Sequence, residues 1–398
     1  MLAKIESDVR RIVEPHCASL SNADYEEWAR MAWTKPIYKR ADVDRAGALF
    51  ANLNERADEA VKNQGIEAFV KELTEAFTTI DNWRSSHSYP LQVIKMTLLT
   101  RAKRIDSQAI IAQRLKRISS IETKLQRNPN MKLSQMQDLG GCRAVLGSLR
   151  RVNDLVALYE KSIPKNPYDR PKFLKKYDYV ASPKADGYRS VHYVYKYQTK
   201  VEALADFKDL RIEIQIRTRL QHAWATAVET VSSFTGQALK SNVGALDEEG
   251  WRRFFTLMGS FIAGKEGCPP VEGSPTGALL KEELRHLASQ LDVRNRLQAF
   301  GAALKAIPLA DMPPDAYYAL LELDLADFRV DVRHYKETEL ERANNDYLAV
   351  EKFTIENPSG KRDAVLVSVD SMANLRRAYP NYFLDTTVFV EQVRKAVE

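Results

Sequence analysis

Residues 177–198 read YDYVASPKADGYRSVHYVYKYQ, and after a short insert residues 211–229 read RIEIQIRTRLQHAWATAVE. In the second block Ile212, Ile214 and Ile216 alternate strictly with Glu213, Gln215 and Arg217. This is the period-two pattern of a strand with one buried and one polar face. A carboxylate, an amide and a guanidinium therefore stand in one row. The row suits an active face, and it suits equally a face that is simply wetted.

The whole chain sets wide bounds. Its 398 residues, 44% hydrophobic and 28% charged, are ordinary for a soluble globular protein long enough for two domains. The net charge of +6 permits an anionic partner without requiring one. Cys17, Cys142 and Cys268 form no CxxC pair and have no histidine at ligand spacing. Neither a disulfide framework nor a zinc site is indicated, and a reducing cytoplasm fits. The first residues, MLAKIESDVRRIVEP, hold no apolar run of signal-peptide length, and no later segment is apolar enough to span a bilayer. A cytoplasmic protein with no membrane partner is expected.

Outward from the opening blocks, residues 1–127 read as mostly helical. Phe69, Val70, Leu73, Phe77 and Ile80 form an apolar stripe at helical spacing. The stripe ends at NWRSSHSYPL (82–91), where Pro90 predicts a boundary between two helices. From Arg101 to Arg127 eight basic residues face two acidic ones. There Ile118, Ile121 and Leu125 share one helical face and Arg117, Ser120 and Lys124 an adjacent one, with Arg114 and Lys116 just before the helix. Cations at a helix N-terminus suit a polyphosphate, and a solvated basic face is the alternative. MQDLGGCRAVLGSL (136–149) reads as an apolar strand whose Gly140 and Gly141 mark a bulge or a close approach to ligand, with Asp138 just before them. A helix from Val152 to Lys161 leads into IPKNPYDRPKFLKK (163–176). Its Lys165, Lys172, Lys175 and Lys176, interleaved with Tyr168 and Phe173, suit a phosphodiester backbone or a merely solubilising loop.

DLGGCRAVL (138–146), DYVASPKADGYRSVH (178–192) and EIQIRTRLQHAW (213–224), in this order, resemble the synthetase domain of the RelA/SpoT family over roughly residues 80–235. The resemblance implies an α+β fold, a mixed-sheet nucleotidyltransferase-like domain flanked by helices, and transfer of pyrophosphate from ATP to a ribose 3′-hydroxyl with Mg2+. It implies that Arg114, Lys116, Ser120, Lys124 and Arg143 bind ATP. Asp138 and Glu213 become the catalytic and metal-holding acids. Tyr188 becomes the ring on which the acceptor's base stacks, with Lys184, Arg189, His192, Gln215 and Arg217 around it. Where many relatives continue HAWAEIEH, this chain has HAWATAVE, which leaves the usual acceptor, GDP or GTP, open.

Past a Gly- and Pro-rich break at 263–277, residues 279–307 read as one long amphipathic helix. YYALLELDL (317–325), FRVDVRHY (328–335), DYLAVEKFTI (346–355) and DAVLVSVDS (363–371) then alternate like strands of a small sheet, and the tail reads as helical. The expected organisation is a synthetase region over 1–265, a linker and helix over 266–310, and a small α+β domain over 311–398. The last resembles the C-terminal pseudo-zinc-finger domain of fused toxin–antitoxin members of the CapRel type, here without zinc-ligand cysteines. That likeness implies an enzyme modifying the 3′ end of tRNA to block translation. Its C-terminal domain would restrain it, with Tyr379 and Tyr382 occluding the nucleotide pocket until a phage structural protein such as capsid is sensed. The alternative is a small alarmone synthetase making (p)ppGpp. No HD pair or other hydrolase motif is present.

Overall fold

The computed structural model describes residues 33–63, 65–162, 171–238, 245–294, 297, 313, 316–324, 329–356, 362–368 and 387–398. Helices α1 (Arg40–Ala51), α2 (Leu53–Lys62), α3 (Ile66–Ser85) and α4 (Ser88–Ile105) come first. The stripe expected on α3 packs its Ile80 fully and Phe69, Leu73 and Phe77 partly against α1, while Val70 stays 53% exposed. The break between α3 and α4 falls at Ser86–His87, and Pro90 sits in the first turn of α4, where its missing N–H leaves no intrahelical bond unmade.

A five-stranded sheet follows, in the order β1-β2-β5-β4-β3, built from β1 (Ile110–Leu115), β2 (Gly140–Leu146), β3 (Lys172–Asp178), β4 (Val191–Lys196) and β5 (Arg211–Thr218). Only β2 and β5 run parallel, so the sheet is mixed, as the family likeness implies. β1 departs from the helical reading of this part of the chain. IIAQRL is too short for its periodicity to choose between helix and strand, and antiparallel pairing with β2 settles it. Gly140 and Gly141 make no bulge, since β2 keeps unbroken register with both neighbours.

Helix α5 (Ile118–Arg127) follows β1, and α6 (Leu149–Lys161), with Ser148 at its N-cap, follows β2. One face of the sheet, carrying Ile212, Ile214, Ile216 and Tyr193, buries against Leu91, Ile94 and Leu98 of α4 and Leu155 and Tyr159 of α6. Each large side chain buried there stabilises the fold by about 1.5–3 kcal/mol. Gly140 permits the closeness of α4, because a Cβ there would lie 2.8 Å from Ile212 Cδ1 and 3.3 Å from His87 Cβ.

After β5 come α7 (Arg219–Ala238), α8 (Ala245–Glu266) and α9 (Gly277–Gln290). The helix expected over 279–307 stops at Gln290, and Asp292 takes a positive φ of 47° just beyond it. In the C-terminal region β6 (Tyr318–Asp324), β7 (Arg329–Tyr335) and β8 (Arg362–Ser368) pair antiparallel in the order β7-β6-β8. The segment 346–355, read as a strand, belongs instead to α10 (Leu340–Glu356). Its true period shows in Leu340, Ala343, Tyr347 and Val350, which are three or four residues apart and all buried. The last helix, α11 (Thr387–Val397), packs Phe389, Val393 and Ala396 into the core of α7, α8 and α9.

The C-terminal elements rest on the helices and sheet that precede them. β8 lies against β1, Gln92 donates a 3.0 Å hydrogen bond to the Tyr317 hydroxyl, and the Arg84 guanidinium stands 4.3 Å over the Tyr347 ring. Among the described residues no helix is long and apolar enough to cross a membrane.

Candidate active site

Strand alternation builds the site. With Ile212, Ile214 and Ile216 at most 1% exposed on the helix-covered face, Glu213, Gln215 and Arg217 must point to the other. Register then sets their neighbours. Arg114, Gly141 and Glu213 form one row across β1, β2 and β5, and Ala112, Arg143, Gln215 and His192 form the next, reaching β4. Gly141 leaves room between Arg114 and Glu213: an added Cβ would meet nothing nearer than the Glu213 carbonyl at 3.8 Å. The resulting cavity is lined by Arg114, Lys116, Asp138, Arg143, Glu213 and Gln215.

Glu213 is tightly held. His192 Nδ1 donates to its Oε1 at 2.9 Å and Gln215 Nε2 to its Oε2 at 2.7 Å. A carboxylate only accepts, so Nδ1 is the donor here, and a neutral imidazole is left to accept at Nε2 from the Tyr188 hydroxyl 2.9 Å away. Burial pushes the Glu213 carboxyl up, but the hydrogen bond from His192, helped by Gln215, holds it below the usual carboxylate range. Burial raises the Tyr188 phenol, which therefore stays protonated.

Asp138, just before β2, is clasped by two lysines. Lys124 Nζ of α5 lies 2.9 Å from Oδ1, and Lys116 Nζ, between β1 and α5, lies 3.1 Å from Oδ2. Burial pushes the Asp138 carboxyl up, the two ammonium groups outweigh it, and the net shift is downward. Lys116 is itself lowered, chiefly by burial and against the pull of Asp138. Ser120 lies one turn before Lys124 on α5 and is not among the residues lining the cavity.

The side expected to take the acceptor is aromatic. Lys184 Nζ sits 4.7 Å over the Tyr179 ring and 5.0 Å over the Tyr188 ring. Tyr179 meets His192 edge-on at 5.2 Å and Tyr188 at 6.0 Å. Tyr179 was not singled out from the sequence, although the alternation in YDY places it on one side of the chain with Tyr177, against which it stacks at 5.8 Å. Gly187, at φ 96°, makes the turn that presents Tyr188, and Asp186 caps it by accepting from the Tyr188 N–H at 2.9 Å.

Two expected acceptor contacts are placed differently. Arg189 does not line the site. It is 2% exposed and donates to the carbonyls of Gly259 at 2.8 Å, Pro269 at 2.7 Å and Gly187 at 3.3 Å, tying the turn to α8. Arg217 is on the site face but only 3% exposed, with His222 hydrogen-bonded to its guanidinium. Burial, reinforced by Arg143, pulls it down to about 9. On edge strand β3, Lys172 and Lys175 are exposed, whereas Lys176 pairs with Glu160 at 2.8 Å and Asp178 at 3.2 Å. Lys165, Tyr379 and Tyr382 lie outside the described residues.

Among the described residues no group of three or more His, Cys, Asp or Glu gathers to hold a metal. Asp138 and Glu213 alone would not cage Zn2+ or Ca2+. They fit Mg2+, which takes one or two carboxylates and completes its shell with substrate phosphates and water.

Residues 113–235 match the family described as the region found in RelA and SpoT proteins. GTP pyrophosphokinase YjbM of Bacillus subtilis (strain 168) is 30% identical over 118 residues, which are 29% of this chain and 52% of that protein. The chain thus spans about half the length of the curated relative it matches. Small alarmone synthetase 1 from Bacillus subtilis, solved bound to its product pppGpp, is 20% identical with a TM-score of 0.37, covering 46% of this chain and 89% of that one. A GTP pyrophosphokinase family protein from Streptococcus pneumoniae is 22% identical with a TM-score of 0.35, covering 45% and 86%. At these scores the structural likenesses carry no weight beyond the sequence match.

Proposed function

We propose that the RelA/SpoT-type region is an ATP-dependent pyrophosphotransferase acting on the ribose 3′-hydroxyl of a guanine nucleotide. The observation that carries this is the hydrogen-bonded run Tyr188–His192–Glu213–Gln215 beside an Asp138 clasped by Lys116 and Lys124. Glu213, kept ionised by His192 and Gln215, is the base that takes the 3′-hydroxyl proton as the oxygen attacks the β-phosphorus in line. Tyr188 and Tyr179 offer ring faces to the acceptor's base. Lys116, Lys124, Arg114 and Arg143 bind the triphosphate and absorb charge on the leaving AMP. Mg2+ held by Asp138 with Glu213 would neutralise the phosphate oxygens and promote loss of the hydroxyl proton. Phosphates entering the cavity compete with Asp138 for the two lysines, which frees its carboxylate. A guanine acceptor draws support from the name of the curated relative, a GTP pyrophosphokinase.

A second acceptor, the 3′ end of tRNA, is favoured by the exposed Lys172 and Lys175 on the sheet edge. In that reading the C-terminal region is a cis-acting antitoxin, with Tyr379 and Tyr382 as its blocking pair and a phage structural protein as its release. Its seat against β1, the strand of Arg114, fits such a restraint, and a tethered blocker acts at high effective concentration. The experiment that separates the two supplies [γ-32P]ATP and Mg2+ with GDP, GTP or deacylated tRNA, using the full chain. Label in GDP and GTP alone supports the alarmone reading, label in tRNA alone supports the toxin reading, and label in none refutes the alarmone reading, because only the toxin reading has the full chain restrained until its trigger arrives.

A further inference from the structure

On the side of the sheet opposite Glu213 a second cavity, of about 310 Å3, opens between α4, α6 and the back of β4 and β5. That size lies at the lower end of small-molecule sites. Ile94, Ile214, Tyr159 and Tyr195 make its apolar walls, and Thr97 and Arg101 stand at its polar side. The two tyrosine rings lie 6.4 Å apart and tilted by 51°.

Two polar side chains stand at this cavity, Tyr159 and Arg101. Tyr159 is 2% exposed, and among the described residues its hydroxyl makes no hydrogen bond of ordinary geometry, although the Arg101 guanidinium acts on it. Burial raises its phenol far above the ordinary value, so it stays protonated and able to donate. A ligand acceptor would give this hydroxyl a well-aligned partner. Arg101 lies with its guanidinium carbon 4.6 Å over the Tyr159 ring, and its Nη1 donates to the Ser162 hydroxyl at 2.8 Å. Among the described residues it has no carboxylate partner, and a ring and a neutral hydroxyl hold it at the cavity.

We propose that this cavity is a ligand site for a small molecule with a flat apolar body and one anionic group. The body fills the space between the tyrosine rings and the two isoleucines, and the anion meets Arg101 and the Tyr159 hydroxyl. The site is separate from the proposed catalytic one but shares β5 with it. Ile214 walls this cavity while its chain neighbours Glu213 and Gln215 line the other.

The test titrates the full chain with 2-naphthoate by calorimetry, with 2-naphthol as a body of like shape that is neutral at pH 7. Saturable binding of 2-naphthoate to one site is expected. Arg101→Met, which keeps the aliphatic stem, should weaken it about tenfold or more while sparing 2-naphthol. Thr97→Trp, at an exposed position on the rim, should block both probes without touching the core. No saturable binding at millimolar 2-naphthoate overturns the proposal, and so does unchanged binding in both variants. Neither outcome depends on whether the protein transfers pyrophosphate, so this proposal and the functional one fail separately.

Discussion

Replacing Glu213 by Gln keeps the shape of the β5 row and removes its base. In the native site both carboxylate oxygens accept, from His192 Nδ1 and from Gln215 Nε2. An amide at 213 keeps one acceptor and turns a donor toward the other partner, so one hydrogen bond is lost unless Gln215 reverses its amide. The cost to folding is about 0.5–1.5 kcal/mol. The cost to catalysis is larger. A positioned general base contributes about 10²–10⁴ in rate, which at 1.36 kcal/mol per decade is about 3–5 kcal/mol of barrier. Turnover measured by transfer of label from [γ-32P]ATP should therefore fall about 10²–10⁴-fold, while the thermal midpoint moves by only a few degrees. A Glu213→Gln protein that is folded and keeps more than a tenth of native turnover refutes the assignment of the base.

Three further outcomes follow from named contacts. Glu213 sits below the ordinary carboxylate range because His192 and Gln215 outweigh burial. Its depressed value contributes stability above the unfolded pKa that is lost as pH falls through the folded one. The native acid limb of the pH–rate profile should thus lie below about pH 4.3. His192→Phe leaves burial unopposed by the imidazole and should move that limb upward, and an unmoved limb would falsify the role given to His192. Arg189→Met removes two short hydrogen bonds, to the buried Gly259 carbonyl and to that of the exposed Pro269, and should lower stability by about 2–4 kcal/mol in urea unfolding. A raised KM for acceptor with native stability would return Arg189 to the acceptor site. Gly140→Ala drives a Cβ to 2.8 Å from Ile212 Cδ1 and should cost about 1–3 kcal/mol, whereas Gly141→Ala, with space around it, should be close to neutral in stability. Equal melting temperatures for the two would refute the packing argument.

The alternation of Ile212, Ile214 and Ile216 with Glu213, Gln215 and Arg217 was legible from residues alone, because a two-residue period needs no partner to be seen. The family blocks likewise pointed to Asp138, Arg143, Glu213 and Gln215, which the fold brings to the lining of one cavity. What stayed hidden depended on contacts between distant segments. Six residues such as IIAQRL choose strand over helix only once β2 offers its hydrogen-bonding edge. DYLAVEKFTI alternates well enough to pass for a strand until Leu340 and Ala343, outside that window, reveal the helical face. Arg189 stands between Tyr188 and His192 in the chain, yet its direction is set by carbonyls seventy and eighty positions away. The sequence by itself determined which side chains could do chemistry and on which face of β5 they stand. Only the tertiary structure decided which of them meet, because a side chain's partner is set by register and helix packing across the sheet, and these are properties of distant segments brought together.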